Sequence, residues 1–543
     1  MEIAKKIIGS DWFVLILIAV LSLIAFSTVL NGQFLYDDRV LIVENQYLRS
    51  FENISRFFVS NAARGANVLA TNLYRPLVNI IHMLVFSFVG LETLLYHLLN
   101  IITHILNAFL IFLMFRKLDI SKIASLIAVL IFAVHPIQAE SVGYVSGLPD
   151  ILSTTFMLIG FNIFLTFGVE DEDLSKRKRK VWLIVTMLFL AFLSKELAVI
   201  FAPLLVAFSV YKWREYDGMT KEFVKKLLYI TFGMTAVYMV LKFTVLNFTG
   251  GSLSLGSDQD LYGSSMWIRF ITFCRMLIEY FRLIFWPQHL YFEKPNIGYL
   301  YFGWQGLIGI LILTIGGIYA VASYMKQRVF MLSYLIFFIA LFPVSGILVV
   351  ANFKYADHWL YVSIIGVLFL FAFMFDRISS NVAKKVFATL AIIALILLGY
   401  RLYERNKEWA DPVLFFENEI EYYPSARVYN HLGFEYFQTL QMKKALEYFN
   451  KAIELDDTYP QPHFHLGNFY YAGGNIEKSL DEFYSGLKIH PKHVATLSSI
   501  AIIASQFGKT DIVDEIDALL TRIQEGDFLI TFEDIPARER FAN

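Results

Sequence analysis

A single cysteine, Cys274, occurs in 543 residues. One thiol excludes an internal disulfide framework and any metal site built on paired cysteines. Charge is scarce too. Only 17% of the residues are Asp, Glu, Lys or Arg, and the net charge is -1. The chain therefore has no global basic field, and nucleic acid is not an expected partner. Apolar residues take up the remainder: 57% are hydrophobic and the mean hydropathy is +0.55. That is too apolar for a soluble chain of this length and predicts many membrane spans. Lys5 and Lys6 precede an apolar run of about 18 residues with no small-residue cleavage site, the pattern of a retained signal-anchor helix.

A span needs about 20 apolar residues. Candidates lie near 12–30, 97–115, 122–138, 149–168, 181–194, 196–211, 227–246, 303–324, 329–350, 358–375 and 384–401, about eleven in all. The basic clusters set the orientation: Lys5/Lys6, Arg116/Lys117/Lys122, "KRKRK" at 176–180, Lys212 to Lys226, Lys326/Arg328 and Arg377/Lys384/Lys385. With the N-terminus inside, every cluster falls inside, as the positive-inside rule asks. The segment 267–290 is apolar but carries Arg269, Arg275, Glu279 and Arg282 at helical spacing. It reads as an amphipathic helix on the outer face.

After the last span the pattern changes and repeats. Leu432 matches Leu466, Gly433 matches Gly467, Ala445 matches Ser479, Ala452 matches Gly486, Leu455 matches Ile489 and Gly474 matches Gly508, each 34 residues apart. This is the tetratricopeptide period, in which small residues let paired helices approach. The expected fold is all-α. A multi-span part, 1–402, carries an outer loop at 31–96 and is followed by a connector helix at 403–424. A repeat domain at 425–523 and a tail at 524–543 complete the chain. An odd number of spans places the repeats outside, where their groove would bind a protein.

Ionisable groups in or beside spans are costly and are candidates for function. "FLYDDRVLIVEN" puts Asp37 and Asp38 after the first span, and "LYRPL" adds Arg75. His97, Asn100, His104 and Asn107 share one helix face, as a polar site or as hydrogen-bond glue between spans. "HPIQAESVGYVSGLPDIL" supplies His135, Glu140 and Asp150; "SKE" supplies Lys195 and Glu196, which could also be a local ion pair; "NFKYADHWLY" supplies Lys354, Asp357, His358 and Tyr361. With the topology above, all of them converge on the outer membrane surface. Mixed acids and bases there suit a donor whose tail stays in the bilayer while its phosphate sits at the interface. Cations would hold the phosphate, and a carboxylate would align and deprotonate an acceptor hydroxyl. A transporter would place such groups nearer mid-membrane, within an internal repeat, and no such repeat is visible.

In this order, "YDD", "YRPL", "YHLLNIITHILNA", "VHPIQAESVGYVSGLPDIL", "SKE", "FPVSGI", "ADHWLYV" and a Trp before the repeats resemble the transmembrane and tetratricopeptide repeat-containing O-mannosyltransferases. More broadly they resemble the C-type glycosyltransferases. The resemblance implies a multi-span C-type glycosyltransferase fold. It implies transfer of mannose or another hexose from a polyprenyl-phosphate-linked donor to a hydroxyl of an exported protein. It carries the role of base to Asp37 or Asp38, with a slight preference for Asp38. It makes Arg75, His97, His104, His135, Lys195, Lys354 and His358 candidates for the donor phosphate, and Glu140, Asp150 and Glu196 candidates for orienting the donor. Relatives carry Arg where this chain has His358, and an Arg common in "SGLPDIL" is absent, so the donor sugar is less fixed than the reaction. No cofactor or metal is expected, since Asp37 and Asp38 alone cannot fill an octahedral site. The few repeats favour a prokaryotic cytoplasmic membrane, with the endoplasmic reticulum as the alternative. The rival functions are the same chemistry on a lipid or envelope glycan, and a non-enzymatic membrane-anchored scaffold.

Overall fold

The computed structural model describes residues 10–66, 71–168, 173–248, 262, 265–294, 298–349, 355–524 and 529–541. The described residues contain helices and no strand. They form two units. One comprises Met1–Asp38, Leu48–Ala62 and Asn72–Ala410; the other comprises Arg39–Tyr47, Ala63–Thr71 and Asp411–Asn543.

The helices of the first unit are α1 (Asp11–Ala25), α2 (Pro76–Val89), α3 (Thr93–Lys117), α4 (Lys122–Val134), α5 (Leu148–Phe164), α6 (Leu174–Ser194), α7 (Phe201–Lys212), α8 (Gly218–Phe243), α9 (Met266–Phe285), α10 (Gly303–Ser323), α11 (Arg328–Leu341), α12 (Leu360–Arg377) and α13 (Asn381–Ala410). Side-chain caps start several of them. Ser121 accepts from the Ala124 N–H, Asp173 from Lys176 and Asp217 from Thr220, so each satisfies an orphan donor of the first turn. Each segment expected to span overlaps a helix, but those near 12–30, 122–138, 149–168 and 329–350 outrun theirs, which end at Ala25, Val134, Phe164 and Leu341. Among the described residues, six helical segments are long and apolar enough to cross a membrane; they contain α3, α5, α8, α10, α12 and α13. The segment 267–290 gives α9. Its apolar face is buried at Cys274, Leu277 and Leu283, while Arg275 reaches Gln305 and Arg282 pairs with Glu279.

The basic helix ends meet on one face of this unit. Lys122 pairs with Asp11, Lys212 with Asp119, and Arg328 donates to the Tyr211 carbonyl. The opposite ends carry the loops that hold the candidate site. The helix α13 runs unbroken from the last expected span to Ala410, whose carbonyl accepts from the Gln33 N–H of the first loop. The expected connector 403–424 is therefore the end of α13 followed by α14 (Pro412–Tyr422).

The second unit stacks helix pairs: α15 (Ala426–Gln438) with α16 (Met442–Leu455), α17 (Gln461–Ala472) with α18 (Ile476–Ile489), and α19 (Val494–Gln506) with α20 (Thr510–Gln524). The small residues of the repeat sit at contact points. A Cβ on Gly467 would stand 2.2 Å from the Phe483 ring, and one on Gly486 would stand 2.4 Å from Phe464. The period also shows in the backbone. Residues 440, 474 and 508 all take a positive φ where the first helix of each pair ends. Two of them are glycine; the third is Leu440, at φ 59° and 76% exposed. A left-handed leucine is strained by its Cβ, and this one has little burial to lose. Leu440→Gly should therefore stabilise the repeat unit by roughly 0.5–1 kcal/mol. Thermal melting of the full chain checks this, and a lowered melting temperature would overturn it.

Candidate active site

Asp37 and Asp38 lie on a helical turn of the first loop and have different surroundings. Asp38 is 1% exposed. Its Oδ1 accepts from the Ser146 N–H at 2.8 Å and the Ser146 hydroxyl at 2.5 Å, and its Oδ2 accepts from the Leu35 N–H at 3.1 Å. Oδ1 thus joins the first loop to the turn before α5, while Oδ2 closes a turn within that loop. Burial pushes this carboxyl up to about 7, against the pull of those bonds and with help from the Asp37 charge.

Asp37 is anchored by its backbone, whose N–H donates to the Tyr144 hydroxyl at 2.8 Å. Its side chain keeps accessible surface, although protein crowds it on most sides. That crowding pushes its carboxyl up to about 6, with the nearby Arg75 guanidinium pulling it down. Arg75 caps α2, just before the Pro76 that begins the helix. Its Nε is enclosed and, among the described residues, meets no hydrogen-bond acceptor.

Arg75 also stands beside Glu196. Burial opposes ionisation of Glu196, but Arg75, Lys195 and Lys242 together hold its carboxyl below the usual range. The chain leaves α6 in an extended conformation at Lys195, so the two neighbours diverge. Lys195 turns to Asp150, Nζ to Oδ1 at 2.5 Å. The local ion pair suggested by "SKE" is therefore replaced by a longer network that links Asp37, Arg75, Glu196, Lys195 and Asp150.

A second cluster joins the loop after α4 to the start of α12. Glu140 accepts from the His358 ring at 2.7 Å and from the His358 backbone N–H at 3.1 Å. Burial opposes its charge, yet His358 and then Lys294 hold its carboxyl below the usual range. Lys294 in turn pairs with Asp357 at 2.5 Å, both residues 5% exposed. Tyr36, Tyr144, Phe292 and Trp409 form an aromatic group beside these loops, with ring centroids 5.2–6.5 Å apart.

The remaining sequence candidates lie elsewhere. The His104 ring bonds the Tyr361 hydroxyl at 2.8 Å and the Ala133 carbonyl at 3.1 Å, while Asn107 reaches Tyr361 and the Ile151 carbonyl. These residues are glue between helices, the alternative left open above. His135 accepts the Ile137 N–H on Nδ1, so Nε2 carries the proton donated to the Ile284 carbonyl at 2.9 Å; neither nitrogen remains for a phosphate. His97 is buried against the backbone of Gly32 and Gly143, without an aligned hydrogen bond. Lys354 lies outside the described residues.

Lys294 and Lys242 were not among the sequence candidates. Lys242 did carry a signal, being an ionisable group inside the candidate span 227–246. Ser146 gave no signal, since its role depends on which backbone Asp38 meets. The fold also forms a 470 Å³ apolar groove lined by α4, α12, α13 and the end of α9, with Trp286 and Phe371 on its walls and Arg401 as its charged group.

The tetratricopeptide repeat family model matches residues 426–459. Over 459 residues the chain is 26% identical to a protein O-mannosyl-transferase of Caenorhabditis elegans, covering 82% of this chain and 63% of the relative. It is 22% identical over 543 residues to protein O-mannosyl-transferase TMTC3 of Homo sapiens, covering 91% of this chain and 57% of the relative. The chain thus spans less than two thirds of the length of these curated relatives. Among solved structures, the archaeal oligosaccharyltransferase AglB from Archaeoglobus fulgidus matches with a TM-score of 0.45 and 16% identity, covering 78% of this chain and 59% of that one. Through both of its units, the chain is similar to the transmembrane and tetratricopeptide O-mannosyltransferases that its loop motifs resemble.

Proposed function

We propose that this chain is a membrane glycosyltransferase that moves a sugar, mannose or another hexose, from a polyprenyl-phosphate donor to a hydroxyl of an exported protein. The observation that carries the reading is the accessible carboxylate of Asp37 beside the Arg75 guanidinium. A base that can reach an acceptor and a cation that can hold a leaving phosphate are the two groups this chemistry needs. Asp37 takes the hydroxyl proton. The hydroxyl oxygen bonds to the anomeric carbon, and the bond from that carbon to the phosphate oxygen breaks. The polyprenyl phosphate leaves as an anion, which Arg75 stabilises, a guanidinium being well shaped for phosphate. The apolar groove suits the polyprenyl tail. Asp38, Asp150, Lys195 and Glu196 keep Asp37 and Arg75 in place.

The test supplies synthetic polyprenyl-phosphate sugars and envelope or secretory proteins to the reconstituted full chain and reads added hexose mass on peptides. Transfer is expected with at least one donor; no transfer with any donor removes the reading. The relatives named above are animal proteins and lend no support to a prokaryotic membrane, so the reading extends only to a membrane whose outer or luminal face holds the site.

The acceptor assignment has its own test. Phe437 and Phe469 are partly buried, lie on the first helices of successive repeats and are in ring contact at 5.9 Å. First helices line the concave face of such stacks. Phe437→Ala/Phe469→Ala should reduce transfer to folded protein by about tenfold, of the order of one lost aromatic anchor. A short hydroxyl peptide should be glycosylated as before. Unchanged transfer to protein would favour the lipid or glycan acceptor.

A further inference from the structure

The "KRKRK" run is more than a topology signal once it is folded. It forms the first turns of α6, and the helical period divides it. Arg177 turns inward to the Thr220 hydroxyl at 2.8 Å, with Asp217 at 4.0 Å. Lys176, Arg179 and Lys180, at i, i+3 and i+4, share another face, and all three line a polar pocket of 910 Å³ with Lys117 and Lys212. The pocket lies among the basic ends of α3, α6 and α7 and the C-terminal end of α5, away from the Asp37 loops.

Some of these cations have local tasks. Lys117 donates to the Asn162 carbonyl at 2.8 Å and Lys180 to the Thr166 carbonyl at 3.2 Å, so both cover the negative end of α5. Lys212 is matched by Asp119 and Glu215. Lys176 and Arg179 make no side-chain ion pair or hydrogen bond among the described residues. Lys117 and Lys180 stand close enough to repel. Among the described residues, five cations thus face two carboxylates around a space that could hold a headgroup. A positive-inside signal needs charge on one side of the membrane, but it does not need that charge to converge on a cavity between spans.

We propose that this pocket binds the phosphate-bearing headgroup of an anionic membrane lipid. The inner leaflet supplies such lipids, and basic pockets between spans on that side attract them. The lipid would join α3, α5, α6 and α7 at the ends opposite the candidate site, a role separate from donor binding.

The test uses the purified full chain in detergent, offered equal phosphatidylglycerol and phosphatidylcholine, with retained lipids counted by native mass spectrometry. Wild type should keep phosphatidylglycerol preferentially. Lys176→Ala/Arg179→Ala/Lys180→Ala should lower that retention by about tenfold or more. The single variant Arg179→Gln, at an exposed position, should lower it by about threefold and covers the case in which the triple variant does not fold. Lys178→Ala/Lys221→Ala/Lys226→Ala removes as many cations from the same face outside the pocket and should retain lipid as wild type does. Millimolar inorganic phosphate should not displace the lipid. The proposal is overturned by equal retention of both lipids, by an unchanged pocket variant, or by equal loss in the control variant. Displacement by inorganic phosphate would assign the pocket to a free anion instead.

Discussion

Asp37→Asn should abolish sugar transfer, lowering kcat by about 10²–10⁴-fold, the usual contribution of a positioned base, with little change in KM or melting temperature. The side chain is accessible and makes no hydrogen bond that the fold requires; its backbone N–H, which does, is untouched by the change. Asp38→Asn should behave differently. Both Asp38 oxygens accept N–H or O–H donors, and an amide nitrogen in either place sets donor against donor. The cost is about 1–3 kcal/mol of stability, read as a lowered melting temperature, with activity lost in step with folding. If Asp38→Asn kills transfer in a fully folded protein while Asp37→Asn leaves it intact, the roles are reversed.

The pH profile supplies a second readout. A base acts in its deprotonated form, and crowding has pushed the Asp37 carboxyl up to about 6. Transfer should therefore rise with pH through about 6 and level off above it. Stability moves the other way. Asp38 ionises in the unfolded chain near 3.8 but in the fold only near 7. The folded state holds the extra proton in that window, so Asp38 contributes less stability as pH rises from about 4 through 7. An active but less stable protein above pH 7 is the combined expectation.

The sequence exposed the large features because they rest on periodic signals. Apolar length marks helices, six of which among the described residues are long enough to cross a membrane, and the 34-residue register reappears in the folded backbone at 440, 474 and 508. The acid–base residues were visible as costly charges beside spans, and the fold gathers five of them, Asp37, Arg75, Asp150, Lys195 and Glu196, into one network. Their division of labour was not visible. Asp37 and Asp38 are neighbours of one residue type, and only the position of Ser146 makes one of them structural. His104 and His135 resemble ligands in sequence because their partners are backbone carbonyls and a tyrosine hydroxyl, which leave no compositional trace. The boundary near 402 missed because α13 continues through polar residues to Ala410, and hydropathy marks where apolar residues stop, not where a helix does.

Removing either partner of Lys294 and Asp357 should have the largest effect on stability. Their side chains are 2% and 7% exposed and meet at 2.5 Å. The ammonium also lies 4.6 Å from the Tyr355 ring and 5.1 Å from Tyr291. Lys294→Ala leaves a buried carboxylate without its cation, and Asp357→Ala leaves a buried ammonium without its anion. Each should cost roughly 3–5 kcal/mol, the range for breaking a buried pair. Lys294→Met/Asp357→Leu removes both charges together and fills similar volume, so it should recover most of that loss. Thermal melting of the three variants in detergent reads the difference. Two neutral single variants would show that water reaches the pair. Loss in the double variant equal to the sum of the singles would show that the two residues act independently. Recovery of stability without recovery of transfer would go further. Lys294 also helps hold Glu140 ionised beside His358, so a stable but inactive double variant would place the pair's charge, and not its cohesion, in the service of the site.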